Sequence, residues 1–301
     1  MHRVALTAGD LSLELAPALG GSVASFRLDG LDLFRPLPAD ATHAVQSGMF
    51  PMVPFANCIR DNSFWLDGET YLVTPNMKGS PLNFHGSGWL LPWTVTEHGA
   101  ERAVLRLDGA TVDDTYRFDA QQVFSLTETG FEVDLSVTNR GAHRMPFSFG
   151  QHPWFPRHGA TRLRFAATGL WTEGADGVAG VLTDVPVNRD YTDWRQPPLT
   201  RQNNCYSGWN GLADIAWPER RIGLSMQSDP VFTHLMFHVP PSGELVFCAE
   251  PQSNAPCGFD GLETGDVQAG VFILDPGASI ASTIRFRPIR QPAFERFWGD
   301  R

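Results

Sequence analysis

Phe131-Glu132-Val133-Asp134-Leu135-Ser136-Val137-Thr138 alternates apolar and polar residues without a break. Successive side chains of a strand point to opposite faces, so Phe131, Val133, Leu135 and Val137 face a core and Glu132, Asp134, Ser136 and Thr138 face water. A strand buried on one face only belongs to an antiparallel sheet. Glu128-Thr129-Gly130 links it to a preceding strand that begins near Phe124, which makes a hairpin. Similar signals recur on both sides. Val4 and Leu6, then Leu11, Leu13 and Leu15, flank a Gly9-Asp10 turn, and the segment from Gly20 to Leu28 ends at Asp29-Gly30. Trp65 to Val73 folds back at Leu66-Asp67-Gly68, and Trp93 to Thr96 and Ala103 to Leu107 resume the strands. Downstream, Ile222–Met226, Phe232–Val239, Leu245–Cys248, Val271–Leu274 and Ser282–Arg287 complete the set. No long window carries a 3.6-residue period. Short strands separated by turns imply an all-β fold, a large antiparallel β-sandwich. With no linker or repeat visible, residues 1–301 read as a single domain. Residues 35–48 read as a surface connection and residues 156–205 as long loops.

Composition narrows the function. Acidic residues outnumber basic ones 33 to 23, a net charge of −10, so the chain lacks the basic field of a nucleic-acid binder. There is no run of eighteen apolar residues and no apolar leader after Met1-His2-Arg3-Val4, so neither a membrane span nor a signal peptide is expected. Cys58, Cys205, Cys248 and Cys257 form no Cys-x-x-Cys pair and no zinc spacing; free thiols in a reducing cytoplasm are expected. His234 and His238 have zinc-like spacing but lack the accompanying glutamate, and read as a half-exposed strand. No phosphate-binding glycine loop and no nucleophile elbow is present.

Three stretches remain. Gly150-Gln151-His152-Pro153-Trp154-Phe155 sets a histidine on a stiff backbone beside aromatic faces suited to a sugar ring. Asn83-Phe84-His85-Gly86-Ser87-Gly88-Trp89 offers a second histidine on a glycine loop, and Cys248-Ala249-Glu250-Pro251 ends an apolar run at a carboxylate. Pro51 to Arg60 is too proline-broken for a helix and too apolar for an ordinary loop. It reads as a buried irregular segment that aims Asn57 and Arg60 at something polar. A carboxylate base and an imidazolium acid acting on one molecule suit a reaction in which one oxygen loses a proton while another gains one. Sugar anomerisation is such a reaction, and it requires no metal or other cofactor.

Asn57-Cys58-Ile59-Arg60-Asp61, His85-Gly86-Ser87-Gly88-Trp89, His152-Pro153-Trp154-Phe155 and Glu250-Pro251-Gln252-Ser253, in that order, resemble motifs of the aldose 1-epimerase (galactose mutarotase) family. The match is to a bacterial branch with an Asn-Arg-Ile-Arg-Asp segment. The resemblance implies a β-sandwich with an open sugar-binding cleft, Glu250 as base on the C1 hydroxyl, His152 as acid on the ring oxygen, and His85 bound to the sugar. Asn57, Arg60, Trp89, Trp154 and Asn203 complete the expected substrate contacts. Two positions depart from the family: Cys58 stands where it has arginine, and Asn203 where it has aspartate. The implied partner is a small sugar, with no nucleic acid or membrane, and the implied assembly is a monomer or homodimer. A hexose-phosphate epimerase and a non-catalytic sugar sensor are the alternative readings. The first needs a cationic cluster, and the second has no need of both Glu250 and His152.

Overall fold

The computed structural model describes residues 2–174, 178–241, 244–256, 258–264 and 269–299. Among them the strands in chain order are β1 (Val4–Ala8), β2 (Leu11–Ala16), β3 (Ser22–Leu28), β4 (Leu31–Asp32), β5 (Met49–Met52), β6 (Ser63–Leu66), β7 (Glu69–Leu72) and β8 (Thr94–His98). Next come β9 (Arg102–Val112), β10 (Tyr116–Thr127), β11 (Gly130–Asn139), β12 (Met145–Phe147), β13 (Gly150–Pro156), β14 (Arg162–Phe165), β15 (Gly169–Glu173) and β16 (Ala179–Thr183). The last are β17 (Gln202–Ser207), β18 (Leu212–Trp217), β19 (Ile222–Ser228), β20 (His234–Val239), β21 (Val246–Gln252), β22 (Phe272–Leu274) and β23 (Ser279–Ile289), before helix α1 (Ala293–Gly299).

Two large antiparallel sheets form the sandwich. One runs β1-β2-β3-β5-β13-β21-β20-β17-β15-β16, with β4 beside β3; the other runs β14-β18-β19-β23-β11-β10-β9-β8. The alternating segment Phe131–Thr138 lies in β11. It pairs with β10 from Phe118↔Asn139 to Thr127↔Gly130 and with β23 on its other side. Phe34 joins the sheets: its ring lies edge-on to Phe26 and Phe155 of the first sheet and to Phe131 and Phe286 of the second, at 5.0–5.9 Å. Such contacts contribute roughly 0.5–1.5 kcal/mol each beyond burial. The expected hairpins are present. Asp67 and Gly68 take positive φ (56° and 89°) between β6 and β7, as a two-residue turn matched to strand twist requires.

The first sheet is buried on both faces in its middle, and this places the site. On β13, Phe155 enters the core between the sheets, while Trp154 joins a second apolar cluster on the opposite face. On β21, Phe247 and Ala249 face the inter-sheet core, and Val246 and Cys248 face away. The same period of two carries His152 and Glu250 to the outer face. There residues 35–48 form a surface connection that also covers the sheet: Leu37, Ala41, Ala44 and Ser47 are buried, and Ala44–Gln46 make one 3-10 turn. Residues 156–205 contain long connections, 184–201 above all, but β14, β15, β16 and most of β17 also lie there. These strands are short, and apart from the four-residue β14 they do not alternate cleanly, which hides them from a periodicity argument. Helix α1 was likewise not visible in the sequence.

Candidate active site

A cavity of about 420 Å³ opens on the outer face of the first sheet. Its lining includes seven of the eight expected residues: Asn57, His85, Trp89, His152, Trp154, Asn203 and Glu250. Arg60, the eighth, is not in the lining. Its Nε donates to Asp260 at 2.8 Å and its Nη2 to the Ala179 carbonyl at 2.8 Å, so it ties segments together. Cys58 is also outside the lining, fully buried, with its backbone bridged to Phe84.

His152 and Glu250 are neighbours across a strand pair. β13 and β21 are paired at Gly150↔Gln252 and Trp154↔Cys248, and the two residues lie midway between these points on each strand. His152 Nε2 is 3.2 Å from Glu250 Oε1, and the side chains are 10% and 3% exposed. Burial pushes the Glu250 carboxyl well above the usual carboxylate range, partly offset by a hydrogen bond from the Cys248 thiol. Burial, with the nearby His85, His238 and Arg35, pushes His152 well below the usual imidazole range. Each group is driven toward its neutral form, so the pair holds one proton between them. A neutral acid–imidazole pair and a carboxylate–imidazolium pair are two tautomers of that same state.

The rings around His152 form a continuous stack. Phe50 lies 4.4 Å from it on one side and Trp154 5.2 Å on the other, and Phe50 also stacks on Trp89 at 5.4 Å. Arg35 caps the far face of this stack, its guanidinium 4.3 Å from the Trp154 ring centroid. Arg35 Nε also holds the Ser47 carbonyl at 3.1 Å, which closes the 35–48 cover on itself, and Arg35 N–H donates to the Trp154 carbonyl at 2.9 Å, which fixes the cover to the site.

His85 is held differently. It and Asn57 both adopt left-handed backbone (φ 59° and 61°), a conformation that costs non-glycine residues about 1–2 kcal/mol. Reciprocal bonds offset that cost: His85 N–H donates to Asn57 O at 2.7 Å, and Asn57 N–H donates to His85 Nδ1 at 3.0 Å. A backbone N–H can only donate, so Nδ1 is bare and Nε2 carries the proton. Burial lowers the ring to about 3, so His85 is a neutral donor. Its loop is pinned by Trp89 Nε1 to Phe84 O at 2.9 Å and by Trp93 Nε1 to Gly88 O at 2.8 Å.

The opposite wall holds the expected Asn203 and three residues that sequence reasoning missed, His238, Glu173 and Arg201. β20 is not half-exposed, since all of it but His238 is buried, and the partly exposed His238 lines the cavity; its Nδ1 lies 2.9 Å from Asn203 Oδ1. Asn203 Nδ2 donates to Glu173 Oε1 at 3.3 Å, and Arg201 binds Glu173 through two nitrogens at 2.6 and 2.5 Å. The signal available was parity, since His238 and Glu250 sit on adjacent strands with even numbers facing out. His234, on the same face, is buried against Thr233, Ser207 and the Ser253 carbonyl. Among the described residues, the group able to offer a cation three ligands within 4.8 Å is His152, Cys248 and Glu250. Cys58, Cys205 and Cys248 form no disulfide, and Cys257 lies outside the described residues.

The family model described as aldose 1-epimerase matches residues 2–287. The chain belongs to the aldose 1-epimerase family. It is 34% identical over 292 residues to the uncharacterised protein YphB of Escherichia coli (strain K12), covering 94% of this chain and 97% of that one. The crystal structure of a candidate aldose 1-epimerase from Escherichia coli K12 superposes with a TM-score of 0.90 at 30% identity, covering 96% of this chain and 99% of that one. A galactose mutarotase-like protein from Clostridium acetobutylicum gives a TM-score of 0.80 at 17% identity, with 95% of each chain covered, and so shares the fold. In this chain the cavity lies on the outer face of the larger sheet of that fold.

Proposed function

We propose that this family member interconverts the α and β anomers of a free aldose. The observation that carries the reading is the buried His152–Glu250 pair, 3.2 Å apart on the wall of an aromatic cavity. The anomeric carbon bears both reacting oxygens, so acid and base must stand side by side. Binding a polar sugar restores hydrogen bonds to the desolvated carboxylate and so favours the carboxylate–imidazolium tautomer. Glu250 then takes the proton of the C1 hydroxyl while His152 gives its proton to the ring oxygen. The C1–ring oxygen bond breaks, and C1 becomes an aldehyde carbonyl. Rotation about C1–C2 presents the other face, and the reverse transfers close the ring. The pair begins and ends with one proton, so no exchange with bulk water is needed. His85 Nε2–H supports the ring oxygen or its neighbour as a neutral donor, and Trp154, Trp89 and Phe50 supply apolar surface.

A phosphorylated sugar fits less well. The cation among the described lining residues is Arg201, and both its terminal nitrogens are engaged by Glu173. In this reading the enzyme acts in the cytoplasm as one domain. No helix among the described residues is long and apolar enough to cross a membrane. The test is polarimetry of freshly dissolved aldoses with and without protein. Faster relaxation of optical rotation for at least one free aldose is expected. Binding with no acceleration of any sugar would instead indicate a sensor, and acceleration confined to sugar phosphates a phosphate-specific epimerase.

A further inference from the structure

Asn203 and His238 form a directly opposed cross-strand pair on β17 and β20. The hydrogen bonds around them fix the orientation of the amide and the place of the ring proton. Glu173, bound through both oxygens to Arg201, is an ionised carboxylate and can only accept, so the amide nitrogen of Asn203 faces it. The amide oxygen therefore faces His238, and because an amide oxygen only accepts, His238 Nδ1 carries the proton. Burial and Arg201 lower the His238 ring to about 4 against the opposing pull of Glu173, so the ring is neutral and Nε2 is bare. His238 is thus the reverse of His85, whose Nε2 carries a proton.

Position along the cleft follows from register. Met236 stands opposite Glu250, and His238 is two residues further along β20, opposite Cys248. That is about 7 Å along the sheet from the proton-transfer pair. A sugar whose C1 meets Glu250 brings a hydroxyl from elsewhere on the molecule to this wall.

We propose that His238 determines specificity by accepting a hydrogen bond, through Nε2, from one sugar hydroxyl away from C1, and that Asn203, anchored on the Glu173–Arg201 ion pair, is the positioning residue that holds it in that accepting state. The inference rests on the aldose reading above and adds a ligand class: the position must carry a free hydroxyl. A deoxy or O-methyl group there has no proton to give, nor has a phosphate ester in its dianionic form. The arrangement also accounts for asparagine at 203, since an aspartate would set a second carboxylate against Glu173.

The test compares wild type, His238→Phe and Asn203→Asp on D-glucose, D-galactose and each of their monodeoxy analogues, by polarimetric kcat and KM and by calorimetric affinity. In wild type one deoxy position should raise KM by about 3- to 10-fold, the range of one neutral hydrogen bond. His238→Phe should raise KM for the parent sugar to the level of that analogue, leave that analogue unchanged, and affect KM more than kcat. Asn203→Asp should make KM pH-dependent, rising as pH falls through the ordinary imidazole range. The added carboxylate favours an imidazolium that cannot accept. The charged or titratable groups facing His238 are Glu173 from β15, Arg201 before β17, His152 from β13 and Cys248 from β21. A uniform rise in KM across all analogues, an unchanged parent KM, or a loss in kcat alone would overturn the proposal. If wild type accelerates no sugar, the mutarotase reading falls. The affinities then decide for His238: loss of discrimination at one position supports its role, and retained discrimination or no sugar binding overturns it.

Discussion

Gly88→Ala probes how the active-site loop is seated. Gly88 packs so closely on Val53 that an added Cβ would lie 2.3 Å from Val53 Cγ2 and 3.0 Å from Val53 O. Ordinary contact begins near 3.4 Å, so the loop or Val53 must yield by about an ångström. Val53 is fully buried, and the Gly88 N–H already donates to its carbonyl at 3.0 Å, so little can move on that side. The displacement is then passed to His85, three residues away. Overpacking of this kind costs about 1–3 kcal/mol, and an ångström of misplacement at a reacting group can cost about 100-fold in rate. We expect a lower melting temperature and a kcat/KM reduced by about 10- to 100-fold. Val53→Ala removes Cγ2 and leaves Cβ at 3.6 Å from the new methyl. The double variant should therefore be more stable than the sum of the single changes by about 0.5–3 kcal/mol, and should recover part of the activity. Thermal melts and polarimetry of the four proteins close the cycle. Strict additivity, or wild-type activity in Gly88→Ala, would refute the argument that this contact seats His85.

Two further outcomes follow from burial and protonation. Cys58→Arg should not improve sugar binding: the residue is fully buried beside Phe84 and outside the cavity, so a buried, overpacked charge should cost about 3 kcal/mol or more and lower the melting temperature by several degrees. Retained stability with a reduced KM would contradict that. The pH profile of kcat/KM should be a bell with a broad top. The singly protonated His152–Glu250 pair gains a second proton only well below the imidazole range and loses its one proton only well above the carboxylate range. A profile with one limb only would count against a shared proton.

How far the sequence could be read depended on which faces of a strand meet water. β11 has one wet face, so its alternation is plain and the sandwich follows from it. β20 and β21 are buried on both faces, and Phe237, Phe247, Cys248 and Ala249 therefore look like an undifferentiated apolar run. Parity along them is recoverable only once Glu250 is taken as a site residue. His152, His85 and Glu250 were legible because each stands beside proline, glycine or aromatic residues that make no sense as plain core. His238, Glu173 and Arg201 were not, because their meaning lies in cross-strand contacts between segments about 30 to 65 residues apart. Arg60 failed for the opposite reason: a motif gave its neighbourhood, but its side chain reaches Asp260, two hundred residues away, rather than the cavity.

In the proposed reaction Glu250 and His152 pass a proton between C1 hydroxyl and ring oxygen. The direct measurement is the polarimetric rate for Glu250→Gln on the best aldose substrate, with sugar affinity measured on the same protein by calorimetry. Glutamine keeps the shape and removes the ionisable proton. The account predicts a fall in kcat of about 100- to 10,000-fold with affinity close to wild type. A Glu250→Gln protein that turns over at the wild-type rate would contradict it.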